Sequence, residues 1–311
     1  MLLINFVTFF GNLLLGIVVI KNPTLRRTVP NMYIITLALS DFLNSFLGIP
    51  FSVASLIVGR WPFNDFVCQL QGFWILLLAA VSLQTLAVTA VNRYFRVVRS
   101  RTLYQKLFNK KTTKLTIAVL WILAPCWLLL GFLSLLAPLP YVAAGHKFFF
   151  HTGKVFCAHD FESLHRGYGA YLVVFYVAIP LIIIVVCYTK VFITVRKHNL
   201  NFRSRLPSVR HEAANLSQNS RLSVDEVNVT YILLAVVVGF LTCWIPVLVI
   251  DLIDFVNAGW KLKRQVYVSY TCLDWASTAL NPIIYGIMNR SFRAEYLRIF
   301  TPLKMWTLKR N

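Results

Sequence analysis

The chain has 311 residues; 58% are apolar and 14% charged, against about a quarter charged in an ordinary soluble domain. Mean hydropathy is +0.67, yet 31 Lys and Arg against 11 Asp and Glu give a formal net charge of +20. This excludes a disordered chain, argues against a water-soluble globule, and rules out a nucleic-acid domain, which does not carry long uncharged apolar runs.

About 20 apolar residues cross a bilayer as a helix. Seven stretches reach that length, at roughly 1–20, 32–58, 68–91, 115–137, 171–189, 227–253 and 266–288, and none holds a Lys or Arg. The period-2 alternation of a membrane barrel is absent, so the spans are helices. The first begins at Met1 directly in apolar sequence, without the positive charge or cleavage site of a secretory signal. It reads as a membrane span missing its outer end. The polar segment 198–226 reads as a flexible loop between extensions of the fifth and sixth helices.

The connecting segments carry the orientation. Segments 21–31, 92–114, 190–226 and 289–311 hold 24 basic residues, whereas 59–67, 138–170 and 254–265 hold 7. The first set is expected in the cytoplasm, which puts the N-terminus outside and the C-terminus inside. Four acidic residues lie with the 24, so the net +20 sits on one face.

Charges inside a bilayer are costly and mark functional sites. Asp41, Asp251 and Asp274 fall within spans, and Arg93 lies at the inner end of the third. Asn12 is in the first span and Ser82 in the third. Asp274, Ser277, Asn281 and Tyr285 follow at i, i+3, i+7 and i+11, on one face of the seventh helix. A polar stripe meeting the lone carboxylate of Asp41 suits a hydrated cation, since its oxygens are hard ligands. It equally suits a hydrogen-bonded packing cluster with no ion. Pro50, Pro125, Pro180, Pro246 and Pro282 fall inside five spans and bend them. Trp244 beside Pro246 marks either a hinge below a cavity or simple packing.

These residues, taken in order, resemble the rhodopsin-like (class A) G-protein-coupled receptors across essentially the whole chain. The resemblance is carried by Gly11-Asn12, Leu37-Ala38-Leu39-Ser40-Asp41, Cys68, Asn92-Arg93-Tyr94, Trp121, Pro125, Pro180 and Tyr188. It continues through Phe240-Leu241-Thr242-Cys243-Trp244-Ile245-Pro246, Asn281-Pro282-Ile283-Ile284-Tyr285 and Phe292. The implied fold is an all-α seven-transmembrane helix bundle with a short amphipathic eighth helix at about 290–300. Residues 1–300 would be the receptor domain and 301–311 a cytoplasmic tail.

The resemblance implies roles. Cys68 would pair with Cys157, and the stretch 147–157, with a turn signal between apolar runs, would form a hairpin lid over the pocket. Arg93 would be the G-protein switch, with Tyr188 and Tyr285 meeting near it. The family has Asp or Glu where Asn92 stands, so Asn92 cannot hold Arg93 by charge. Glu226, at the inner end of the sixth helix, would instead form the lock; two solvated charges are the alternative. Asp41, Ser82 and Asn281 resemble the family's sodium pocket, with Ser277 where Asn is usual and Asn12 in the same polar core. Phe240 and Trp244 would be movable aromatics, and Pro246 and Pro282 the hinges. An agonist would drive the sixth helix outward and activate a heterotrimeric G protein, with arrestin and membrane lipids as further partners, at the plasma membrane. Beyond a modulating sodium ion no cofactor is implied.

The ligand is less determined. The third-span Asp of bioamine receptors is Ile75 here, and the retinal lysine position of opsins is Trp275. Asp251 and Asp274 face the expected pocket, with Asp254 near its rim. A cationic or peptide ligand could pair with them, or Asp274 could bond neighbouring helices. Trp74, Ile75, Leu76, Ala79, Leu172, Tyr176, Val247, Leu248, Tyr267, Thr271 and Trp275 would complete an apolar and aromatic wall. The Asn92-Arg93-Tyr94 and Tyr285–Asn289 wording resembles melatonin-type receptors; a peptide receptor is the competing subtype. A transporter would show inverted repeats or broken helices, and an enzyme a nucleophile–base or metal set. The six histidines lie in loops without metal spacing. A non-signalling decoy or scaffold is the remaining alternative.

Overall fold

The computed structural model describes residues 1–133, 148–159, 170, 172–205, 224–257 and 259–308. Seven long helices run through them: Leu2–Lys21, Val29–Leu47 with Ile49–Val58, Asp65–Val97, Lys110–Leu133, Leu172–Ala178 with Ile179–Arg205, Val224–Val256 and Arg264–Met288. These are the seven expected spans, each lengthened at one end or both. Counted over the described residues, five are long and apolar enough to cross a membrane by length and composition alone, and the seventh is not among them. The seventh falls short because one face carries Asp274, Ser277, Thr278 and Asn281, all buried. Turned into the bundle, that polarity never meets lipid.

The local breaks follow from the sequence. Pro50 lacks an N–H and its ring crowds the preceding turn, so the second span is two helices meeting at Gly48. The fifth opens as a π-helix over Leu172–Ala178, just ahead of Pro180, a rare form found mostly as short interruptions of α-helices. The third helix starts at Asn64, whose side chain accepts a bond from the Val67 N–H at 3.0 Å, with Asp65 in the first turn. Both features favour a helix N-terminus. The fifth helix continues to Arg205, which shortens the polar loop expected at 198–226. The last helix spans Arg290–Leu308, past the expected end at 300 and into the expected tail. Phe292 anchors it, fully buried against Tyr285 with ring centroids 5.5 Å apart.

The third span is the axis of the bundle, packing against the second and fifth. The first span packs on the second and seventh, and the sixth on the seventh. One contiguous core runs between them, from Leu15 and Val19 through Leu83 and Leu86 to Ile184, Val236 and Trp244. Close approach of the first and seventh spans depends on Gly11, where an added Cβ would lie 2.6 Å from the Pro282 ring. Large apolar side chains such as Phe6, Phe46, Leu115, Ile182, Val238 and Ile287 stay exposed on the outward faces. Such a belt is costly in water and suited to lipid.

At one end a two-stranded antiparallel hairpin covers the bundle. Strand β1 (Phe148–His151) pairs with β2 (Phe156–His159), with Phe150 opposite Cys157. Cys157 is bonded to Cys68 at the start of the third span.

Candidate functional site

The hairpin is held onto the third span by more than the disulfide. Gln69 donates to the Phe148 carbonyl at 2.8 Å and accepts from its N–H at 2.9 Å. Gln71 accepts from the Cys157 N–H at 3.0 Å while donating to the Gly48 carbonyl and Ser52 Oγ. Gly72 makes room for this seat: an added Cβ would fall 2.2 Å from the Phe148 ring. In the turn, His151 Nδ1 accepts from the N–H groups of Gly153 and Lys154, at 2.9 and 3.0 Å. Its ring packs between Trp260 and Tyr267.

Fixed this way, the turn directs Lys154 inward. Its side chain is 3% exposed, with Nζ 3.2 Å from Asp251 Oδ1 and 3.5 Å from Asp254 Oδ2. Nζ also lies 4.3 Å from the centre of the Tyr270 ring, a cation–π contact. Tyr270 donates to Asp251 Oδ2 at 3.2 Å and Tyr267 to Asp254 Oδ1 at 2.6 Å. Thr271 donates to the Lys154 carbonyl at 2.6 Å. The two sixth-span acids read from the sequence as partners for a ligand's charge are therefore engaged by the protein's own lysine. Nothing in the spacing of the chain pairs residue 154 with residue 251; only the turn geometry does.

Beneath the hairpin is a cavity with about 130 Å³ of free volume. Ile75, Leu76, Ala79, Leu172, Tyr176, Asp251 and Asp274 line it as expected, and Phe148, Lys154, Phe156, Trp244 and Tyr270 join them. Other expected wall residues lie elsewhere. Trp275 is fully buried against Ile49 and Val53, facing the first and second spans. Val247 is buried in the main core with Leu248 packed against it. Trp74 packs in the cluster of Leu77, Leu172 and Tyr176. Tyr267 and Thr271 serve the hairpin instead. A helix face is about 100° wide, so positions one residue off the cavity register point into neighbouring helices.

The cavity floor is Trp244, stacked on Phe240 with ring centroids 5.3 Å apart. Trp244 Nε1 donates to Ser277 Oγ at 3.1 Å, and Ser277 donates to the Asp274 carbonyl at 2.6 Å. Below it is a smaller chamber of about 20 Å³, lined by Asp41, Ser82, Asp274, Ser277 and Asn281 among others. Asn281 donates to Asp41 Oδ2 at 2.7 Å and Ser82 to Oδ1 at 3.2 Å, while Ser40 and Ser82 hydroxyls lie 2.8 Å apart. The five-residue cluster expected around Asp41 is thus assembled except for Asn12. That side chain donates instead to the Thr8 and Thr278 carbonyls, tying the first span to the seventh. The chamber is large enough for one water-sized species, and its oxygen donors are of the kind that hold a hard cation.

At the far end Arg93 is 5% exposed and its Nε has no hydrogen-bond partner. Tyr188 and Tyr285 are both buried in the main core. Asn92 is fully buried, with neither side-chain polar atom bonded. Tyr94 is half-buried, with the Arg99 guanidinium 5.5 Å and Lys190 Nζ 5.7 Å from its ring centre. Glu226 falls in the first turn of the sixth helix; its side chain lies outside the described residues.

Comparison with known proteins fits this layout. The chain is 27% identical over 291 residues to neuropeptide Y receptor type 1 of Xenopus laevis, covering 92% of this chain and 75% of that receptor. It is 26% identical over 298 residues to melatonin receptor type 1B-B of Danio rerio, covering 95% and 78%. It is 27% identical over 318 aligned residues to probable G-protein coupled receptor 45 of Homo sapiens, covering 96% and 80%. The family pattern described as "7 transmembrane receptor (rhodopsin family)" matches residues 11–285. That match runs from the glycine that seats the first span on Pro282 to the tyrosine packed on Phe292, and the chain belongs to the rhodopsin family of seven-transmembrane receptors.

Proposed function

We propose that the chain binds an extracellular ligand in the cavity under the hairpin and activates a heterotrimeric G protein at its Arg93 end. In this reading it is a multi-pass plasma-membrane protein with the hairpin outside and the basic segments in the cytoplasm. One observation carries it: polar and aromatic side chains follow one another in order from cavity to switch. They pass from Trp244 to Ser277, then through the Asp41 chamber to Asn281, and one helical turn on to Tyr285 near Arg93.

The mechanism is a population shift. A ligand favours the active bundle only by the difference in its affinity for the two states. Contact on Trp244 alters its bond to Ser277 and its stack on Phe240. The sixth span swings about Pro246, Arg93 is released from Glu226, and a cleft opens for a G-protein helix. A sodium ion held by Asp41, Ser82 and Asn281 would add positive charge beside Asp41 and favour one of the two states. The basic face meets anionic lipid and, after activation, G protein or arrestin. Ile75 and Trp275, standing where bioamine receptors carry Asp and opsins carry Lys, support a ligand held in another way. The relatives are named for a neuropeptide and for melatonin, so the named ligands differ in kind.

Nucleotide exchange on a panel of co-expressed heterotrimeric G proteins tests this. Glu226→Gln should raise ligand-independent exchange at matched surface expression; unchanged exchange would remove the lock. If no G protein responds to wild type, Glu226→Gln or Asp41→Asn, the chain is a non-signalling scaffold.

A further inference from the structure

The cavity holds two kinds of carboxylate. Asp251 and Asp254 are answered from within, by Lys154 and by the hydroxyls of Tyr270 and Tyr267. Asp274 is not. It is 8% exposed and lines both the cavity and the chamber below. Among the described residues no hydrogen bond or ion pair reaches its carboxylate; only its backbone carbonyl is engaged, by Ser277.

A carboxylate without a partner at this depth is expensive, and a cation is what removes the expense. Resting on the receptor reading above, we propose that the cavity takes a small organic monocation. Its ammonium nitrogen seats on Asp274, and its apolar body lies against Tyr176, Leu76, Ala79 and Phe156. The site differs from one on the third span, where Ile75 offers no charge. Charge-assisted bonds of this kind are about twice as strong as neutral ones, and the aromatic wall adds cation–π attraction. Lys154 lies on the acids at the hairpin end, which leaves Asp274 as the carboxylate open to a ligand. An anion meets Asp274 with no lysine to spare.

The test is direct binding to the purified full chain in lipid nanodiscs, read by thermal unfolding, since a ligand that binds the folded state raises the melting temperature. The probes are ω-phenylalkylamines with one to four methylenes, each paired with its neutral N-acetyl derivative and the matching carboxylate. At least one amine should stabilise the chain while its amide and acid do not. Asp274→Asn should weaken that amine by roughly 10- to 100-fold. The substitution keeps the side-chain shape and removes an uncompensated charge, so the unliganded variant should melt no lower than wild type. The amine–amide comparison on wild type needs no variant, and stands even if Asp274→Asn misfolds. The proposal is overturned if no amine stabilises the chain, if amide and amine do so equally, or if Asp274→Asn retains full affinity. Unfolding involves no G protein. Amine binding without nucleotide exchange would count against signalling and leave this site standing; exchange without amine binding would do the reverse.

Discussion

Replacing Lys154 by Met keeps most of the side chain's volume and removes its charge. Asp254 suffers more from the loss, because it is fully buried and, among the described residues, its Oδ2 is met by the 3.5 Å ion pair alone, while Tyr267 holds Oδ1. Asp251 keeps the Tyr270 hydroxyl and is 18% exposed. Removing one partner of a buried pair costs about 3–5 kcal/mol, and the partial exposure of Asp251 points to about 3 kcal/mol. At about 2–4 °C per kcal/mol for a large chain, the apparent melting temperature should fall by roughly 6–12 °C. A double-mutant cycle with Asp254→Asn isolates the pair. The double variant should be more stable than the sum of the single losses predicts, by about 1–3 kcal/mol, since the amide needs no cation. Strictly additive losses would refute the ion pair and leave Lys154 as packing alone.

Two further outcomes follow from the geometry. Gly72→Ala places a methyl 2.2 Å from the Phe148 ring and 2.8 Å from the Cys157 carbonyl. It should lower stability by about 1–3 kcal/mol, whereas Gly16→Ala, with nothing within 4 Å, should not; equal melting of the two would show that the hairpin does not sit on Gly72. Asp41→Asn should abolish any stabilisation by NaCl over KCl at equal ionic strength, and a sodium effect that survives it would place the ion elsewhere.

How much of this was legible in the sequence depends on range. The seven spans were readable because each is a local run of apolar residues. The seventh-helix stripe was readable because 3.6-residue periodicity fixes which side chains share a face. Asp41 with Ser82 and Asn281, and Cys68 with Cys157, followed from the resemblance, and the structure brings both sets together. Lys154 was legible only as part of a hairpin turn. Its inward course depends on two backbone bonds to His151 and on contacts from residues about a hundred positions away, which no local pattern encodes. Trp275 shows the opposite error. It sits next to Asp274 in the chain, but one residue is 100° of helix rotation, enough to turn it from the cavity into the packing between the first, second and seventh spans.

The fastening of the hairpin has a mechanical consequence. A disulfide, two glutamine clamps and a glycine seat join it to the third span, so it moves as a rigid outgrowth of that span. Its grip on the sixth span is a single ammonium between two carboxylates. When stiff and soft joints are connected in series, displacement concentrates in the soft one. Strain between the third and sixth spans would therefore be taken up at Lys154 rather than within the strands, and the separation of Lys154 Nζ from Asp251 would act as the gauge of how far the two spans have parted at that end.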